Sequence, residues 1–202
     1  MDADGGVAAH AARSAMVALV NPDLCTSCGI CVDSCPPMAI GPGGRTARDQ
    51  LDEVRWFLGT EKPGPGDVVM VGCSWGAAAA EAARTGARFF AVPCIGEMHS
   101  STVEFLLRGG AGGVLVAGCA EHDGRTREGM TWAQERLFEG RKADLKERVD
   151  RGRLRLVEAS LGEGARLHAA AEAFAAEIAA LDDPDREVDV IELCRARRGG
   201  ES

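Results

Sequence analysis

The chain has 202 residues, 26 of them glycine and none tyrosine, and a net charge of −8. That length allows one substantial core, or a small module joined to a medium domain. The acidic balance, with no basic patch interleaved with aromatics, argues against a nucleic-acid partner, and no apolar run is long enough to span a membrane.

The N-terminus lacks a charged start followed by a long apolar core, so no signal peptide is expected and the cytoplasm is the expected compartment. Eight cysteines in that setting point to metal chemistry more readily than to disulfides, because thiols there are kept reduced.

In chain order, residues 1–13 are rich in Ala, Gly and Asp without a period and read as a loose tail. Residues 14–43 form a small module around Cys25-Thr-Ser-Cys28-Gly-Ile-Cys31-Val-Asp-Ser-Cys35-Pro36. This is the C-x2-C-x2-C-x3-C-P run that holds a [4Fe–4S] cluster in bacterial ferredoxins. The spacing has a physical reason. Thiolates two residues apart on one tight loop reach separate corners of a cubane while backbone N–H groups face its sulfides. Gly29 lets the backbone come close, and Pro36 ends the short helical turn behind Cys35.

A zinc knuckle would more often present two separated C-x2-C pairs, whereas here four cysteines fall within eleven residues. A disulfide pair or idle core thiols are the remaining alternatives. Because the fourth cysteine of such a run ligates the other cluster in two-cluster ferredoxins, the fourth ligand is open between Cys35, Cys194 and a thiol of another subunit.

Residues 44–66 read as a linker. Gly41-Pro42-Gly43-Gly44 breaks the chain, Thr46 caps a helix to about residue 59 with Leu51, Val54 and Leu58 on one face, and Glu61-Lys62-Pro63-Gly64-Pro65-Gly66 breaks it again. From residue 67 to 182, short apolar strands at 68–71, 88–92, 113–117 and 154–157 alternate with helical segments at 77–85, 100–108, 126–149 and 163–181. Four such strand–helix units predict an α/β fold, an open parallel sheet covered on both faces and preceded by the small ferredoxin-like module. Residues 183–202 hold a strand-like stretch ending at Cys194 and a basic tail, Arg195-Ala196-Arg197-Arg198, which reads as solvated.

Cys73, Cys94 and Cys119 each follow one of the first three strands by a residue or two, which places all three at the carboxyl edge, where open α/β sheets bind ligands. Glycine-bearing loops follow each of them and leave room for a compact inorganic group. The plainer reading is that small thiols pack well at strand ends. A nucleophilic thiol is a further alternative, although no base is fixed beside it in the sequence.

With these residues in view, the second half resembles the delta subunit of methyl-viologen-reducing hydrogenase, a family of iron–sulfur subunits found with heterodisulfide reductase-type complexes. Cys73-Ser74-Trp75, Val92-Pro93-Cys94 with Gly96, the run from Gly110 through Cys119, Gly129, the helix containing Arg136, Ser160 and Glu163 carry the resemblance.

The resemblance implies a [2Fe–2S] cluster on Cys73, Cys94 and Cys119. It also implies electron relay between a flavin-containing heterodisulfide reductase subunit and a hydrogenase or formate dehydrogenase. Two of the family's five cysteines are replaced here, one by Gly76 and one by Gly124, and the His-Tyr that follows the latter is Arg125-Thr126. A [2Fe–2S] cluster takes four protein ligands, so His99, His122 or Asp123 would have to assist.

Trp75 is a candidate to shield a cluster, or else a plain core or interface residue, and His10 and His168 are given no role. The expected function is therefore an iron–sulfur electron-transfer subunit of a multi-subunit oxidoreductase, with no substrate site of its own. No G-x-G-x-x-G follows the first strand. The alternatives are a docking scaffold whose [4Fe–4S] cluster is only structural, and a thiol enzyme using Cys73, Cys94 or Cys119.

Overall fold

A computed structural model describes residues 20–42 and 44–181. The chain enters through the cysteine loop, which contains one helical turn, α1 (Ile30–Asp33). Helix α2 (Ala47–Glu61) starts at Thr46, whose side chain accepts from the Asp49 N–H while the Asp49 carboxylate accepts from the Thr46 N–H. This reciprocal cap satisfies two otherwise orphaned donors.

There follow β1 (Val68–Cys73), α3 (Ala77–Thr85), β2 (Phe89–Val92), a 3-10 turn (Ile95–Glu97) and α4 (Ser100–Arg108). The chain continues through β3 (Gly113–Gly118), α5 (Gly129–Phe138), β4 (Leu154–Glu158) and α6 (Gly164–Ala180).

The four strands form one parallel sheet in the order β2-β1-β3-β4. After β2 the chain crosses to the other side of β1, so strand order reverses between β1 and β3. The crevice beyond their carboxyl ends is where such sheets bind ligands.

Both faces of the sheet are covered. Helices α2, α4 and α5 bury Val54, Phe57, Val103, Leu106, Met130 and Leu137 against one face, with Phe57 edge-on to Phe90 at 5.5 Å. Helices α3 and α6 bury Ala77, Ala78, Leu167, Phe174 and Ile178 against the other. The near-continuous apolar strands follow from this double coverage. Helix α2 contributes to the core of the α/β unit through Val54 and Phe57.

One expected element is shorter than its pattern. The segment 126–149 holds a helix only as far as Phe138. Gly140, at φ +75°, takes the left-handed conformation that ends helices, and the charged stretch beyond it is irregular. Buried Ala143, Leu145 and Val149 pin that stretch to the core, and Arg151 donates to the carbonyls of Leu137 and Leu145. Cys194, the strand-like stretch before it, the basic tail and His10 lie outside the described residues.

Candidate functional site

The cysteine loop is fixed to the carboxyl edge by polar contacts that the sequence does not advertise. The 3-10 turn after Cys94 lies between α1 and α5. Gly29, at φ +81°, sits against the side chain of Glu97, and a Cβ there would collide with the carboxylate. Only glycine combines that left-handed backbone with so close an approach. The buried Glu97 accepts from Arg45 Nη2 at 2.7 Å, while Gln50 Nε2 donates to the Glu97 carbonyl at 2.7 Å and Gln50 Oε1 accepts from the His99 N–H at 3.1 Å.

Beneath the loop, Asp33 of α1 and Arg136 of α5 form an ion pair whose side chains are 0% and 1% exposed. Burial pushes the Asp33 carboxyl up to about 6, against the opposing pull of the guanidinium.

Within the loop, Cys25 and Cys31 are exposed, Cys28 is partly exposed and Cys35 is buried. The Cys35 sulfur accepts from the Ala39 N–H at 3.4 Å, the kind of bond that tunes a thiolate ligand. Burial raises the Cys31 thiol, and the negative charge of Cys28, Cys25 and Asp33 raises it further. Four thiols on one loop, one seated inward beside a backbone donor and three toward the surface, fit the donor set of a [4Fe–4S] cluster. Among the described residues no three ligating side chains converge as the shell of a single metal ion.

The second set of cysteines also meets. Cys73, Cys94 and Cys119 line one cavity together with Ile95, Gly124, Thr126 and Met130. The positions where the resembled family has its two further cysteines face the same place. A Cβ on Gly76 would lie 3.4 Å from Cys73 Cβ and 3.8 Å from Cys119 Sγ, and one on Gly124 would lie 3.5 Å from Cys119 Cβ.

As built from this chain's own residues, however, the site does not fit a [2Fe–2S] cluster. It offers three thiols where four ligands are needed, and the cavity measures about 20 Å³, close to the space of one water.

None of the proposed helpers lines the cavity. His99 is buried as the N-cap of α4, where its Nδ1 accepts from the Ser101 N–H, and burial lowers its imidazole to about 4. His122 is exposed beside Glu121, and Asp123 accepts from the Ser160 hydroxyl. Trp75 is 86% exposed and covers nothing. Thr126 does reach the site, its hydroxyl 3.4 Å from Cys94 Sγ. The resembled family has Tyr at this position, but nothing in the sequence places it beside Cys94.

The electrostatics of the pair at the strand-order reversal are asymmetric. A hydrogen bond from Cys119, with the backbone N–H groups of Trp75 and Gly76, lowers Cys73 to about 6 against the effect of burial. The same bond, together with burial, raises Cys119. These donors draw Cys73 towards the thiolate near neutral pH, at the expense of the bond its protonated sulfur donates to the Pro93 carbonyl at 3.3 Å. Alkylation of Cys73 by iodoacetamide should be near its plateau at pH 7 and fall through pH 6; a midpoint near that of an ordinary thiol, about 8.5, would refute the assignment.

Two family profiles match the chain. Residues 68–182 match the family described as methyl-viologen-reducing hydrogenase, delta subunit, and residues 18–41 match the 4Fe-4S binding domain. A probable ferredoxin from Methanosarcina thermophila is 72% identical over 25 residues, which make up 12% of this chain and 43% of that protein. The chain thus spans less than half the length of that ferredoxin.

Proposed function

The chain belongs to the methyl-viologen-reducing hydrogenase delta subunit family and carries a 4Fe-4S binding domain ahead of it; from this we propose that Cys25, Cys28, Cys31 and Cys35 ligate one [4Fe–4S] cluster, through which the subunit relays electrons between a flavin-containing heterodisulfide reductase-like subunit and a hydrogenase or other dehydrogenase. As an iron–sulfur electron-transfer subunit it takes part in an oxidoreductase complex. Among the described residues no helix is long and apolar enough to cross a membrane.

The observation that carries the proposal is the seating of the cysteine loop. Asp33–Arg136 and Arg45–Glu97 tie it to the α/β unit, while Cys25, Cys31 and the neighbouring Leu24, which is 79% exposed, face outward. A tethered mount with one open side suits a group that must exchange electrons with a docked protein, because the cluster stays near the surface. When bound, the cluster supplies one-electron storage. The chain's own residues set its hydrogen bonding, burial and position.

The test is anaerobic mixing of the dithionite-reduced, desalted protein with an oxidised flavin-containing heterodisulfide reductase-like subunit from the same organism. Flavin reduction together with cluster oxidation supports the relay. A cluster that stays reduced in the assembled complex would leave only a structural role and a docking scaffold.

A further inference from the structure

We propose that Cys73 and Cys119 form a redox-active dithiol that exchanges with low-molecular-weight disulfides, in the cavity where this chain lacks the full ligand set for a cluster. The inference is independent of the cluster on the Cys25–Cys35 loop.

It rests first on position. Gly72 of β1 pairs with Ala117 of β3, so Cys73 and Cys119, the latter just past the end of β3, leave adjacent strands one residue out of step. The loops beyond the strand ends bring the side chains together: a Cβ on Gly76 would lie 3.4 Å from Cys73 Cβ and 3.8 Å from Cys119 Sγ, so both cysteines flank one point.

Cys73 and Cys119 both line the cavity, where Cys73 Sγ donates to the Pro93 carbonyl at 3.3 Å, whereas Cys94 is buried with its sulfur beside the Thr126 hydroxyl. Cys73 and Cys119 are partly accessible. Cys73 also stands just before the nine-residue α3, where the Gly76 N–H donates to the Cys73 carbonyl at 3.0 Å and the nearby backbone N–H groups of Trp75 and Gly76 favour its thiolate. This division of labour, one activated attacking thiol and one protonated resolving thiol, is what exchange chemistry needs. Exposed Arg125 and Arg127 border the cavity and favour an anionic disulfide.

The Cys73 thiolate attacks one sulfur of RSSR, forming Cys73–S–S–R and releasing RS⁻. Consumption of the Cys73 charge removes one cause of the raised Cys119 pKa. Cys119 then passes its proton to the released thiolate and attacks the Cys73 sulfur, expelling the second RS⁻, which takes a proton from solvent. Two protein thiols are oxidised by two electrons to one disulfide, and RSSR is reduced to two RSH.

The test uses full-length protein purified anaerobically, reduced, desalted and exposed to glutathione disulfide at pH 7. Remaining thiols are then alkylated and the peptides mapped by mass spectrometry. The expected product is a Cys73–Cys119 cross-link, with Cys94 alkylated, and a glutathione adduct trapped on Cys73 in the Cys119→Ser variant. The wild-type map alone decides if that variant fails to fold.

Both cysteines recovered fully alkylated would overturn the proposal. So would iron lost specifically on Cys73→Ser substitution in a folded protein, since that would make the cavity a metal site. Iron measured on the same wild-type sample keeps the two readings apart: a cross-link without iron removes the cluster proposal only, and about four irons without a cross-link removes the dithiol only.

Discussion

Substituting Arg136 with leucine should lower the unfolding free energy by roughly 3–5 kcal/mol, the usual consequence of leaving one charge of a buried pair without its partner. Arg136 and Asp33 are both essentially inaccessible to water, and the guanidinium is the only cation forming an ion pair with Asp33 among the described residues. A lone Asp33 must either stay ionised in an apolar setting or take up a proton, and either costs stability. The double variant Asp33→Leu/Arg136→Leu removes both charges and should regain most of the loss, because paired burial contributes little net stability. Denaturant unfolding of the two variants measures this. Equal destabilisation by both would show that shape, and not charge pairing, holds α1 to α5. The single variant should also bind less iron, since α1 carries Cys31 at its centre and Cys35 just beyond its end.

Serine at Cys28 should abolish the cubane spectrum and take iron from about four per chain towards none, while alanine at Cys94 should leave both unchanged. The contrast separates the two cysteine sets. Cys28 lies on the surface loop with Cys25 and Cys31, and Cys94 is buried beside Thr126 in a cavity of about 20 Å³. Iron and spectrum unchanged in Cys28→Ser would show that the cluster, if present, takes its ligands elsewhere.

The parts of the molecule that were legible in the sequence are those written in local spacing. The cysteine run is a short-range pattern, and the alternation of apolar strands with helices reports a doubly covered parallel sheet. Thr46 announces its helix because a cap is a contact between residues three apart.

What sequence reading missed is nonlocal. Asp33 with Arg136, and Gly29 with Glu97, join segments far apart in the chain through buried charge, and nothing in local composition marks such a pairing. The same holds for Thr126 beside Cys94. The over-long helix at 126–149 is a different kind of miss. Gly140 was a visible stop, but charge alternation beyond it resembled a solvated helical face. The meeting of Cys73, Cys94 and Cys119 did follow from their places at strand ends. That only three thiols meet, around a water-sized space, was visible only in three dimensions.

Electron transfer by this subunit is tested most directly by iron and acid-labile sulfide per chain in anaerobically purified protein, combined with an EPR spectrum after dithionite reduction. About four irons and four sulfides are expected, with one cubane signal that disappears on reoxidation. Absence of iron, or a cluster signal that no redox treatment changes, would contradict electron transfer by this subunit. About six irons with a second overlapping signal would contradict the assignment of the Cys73–Cys119 cavity as cluster-free.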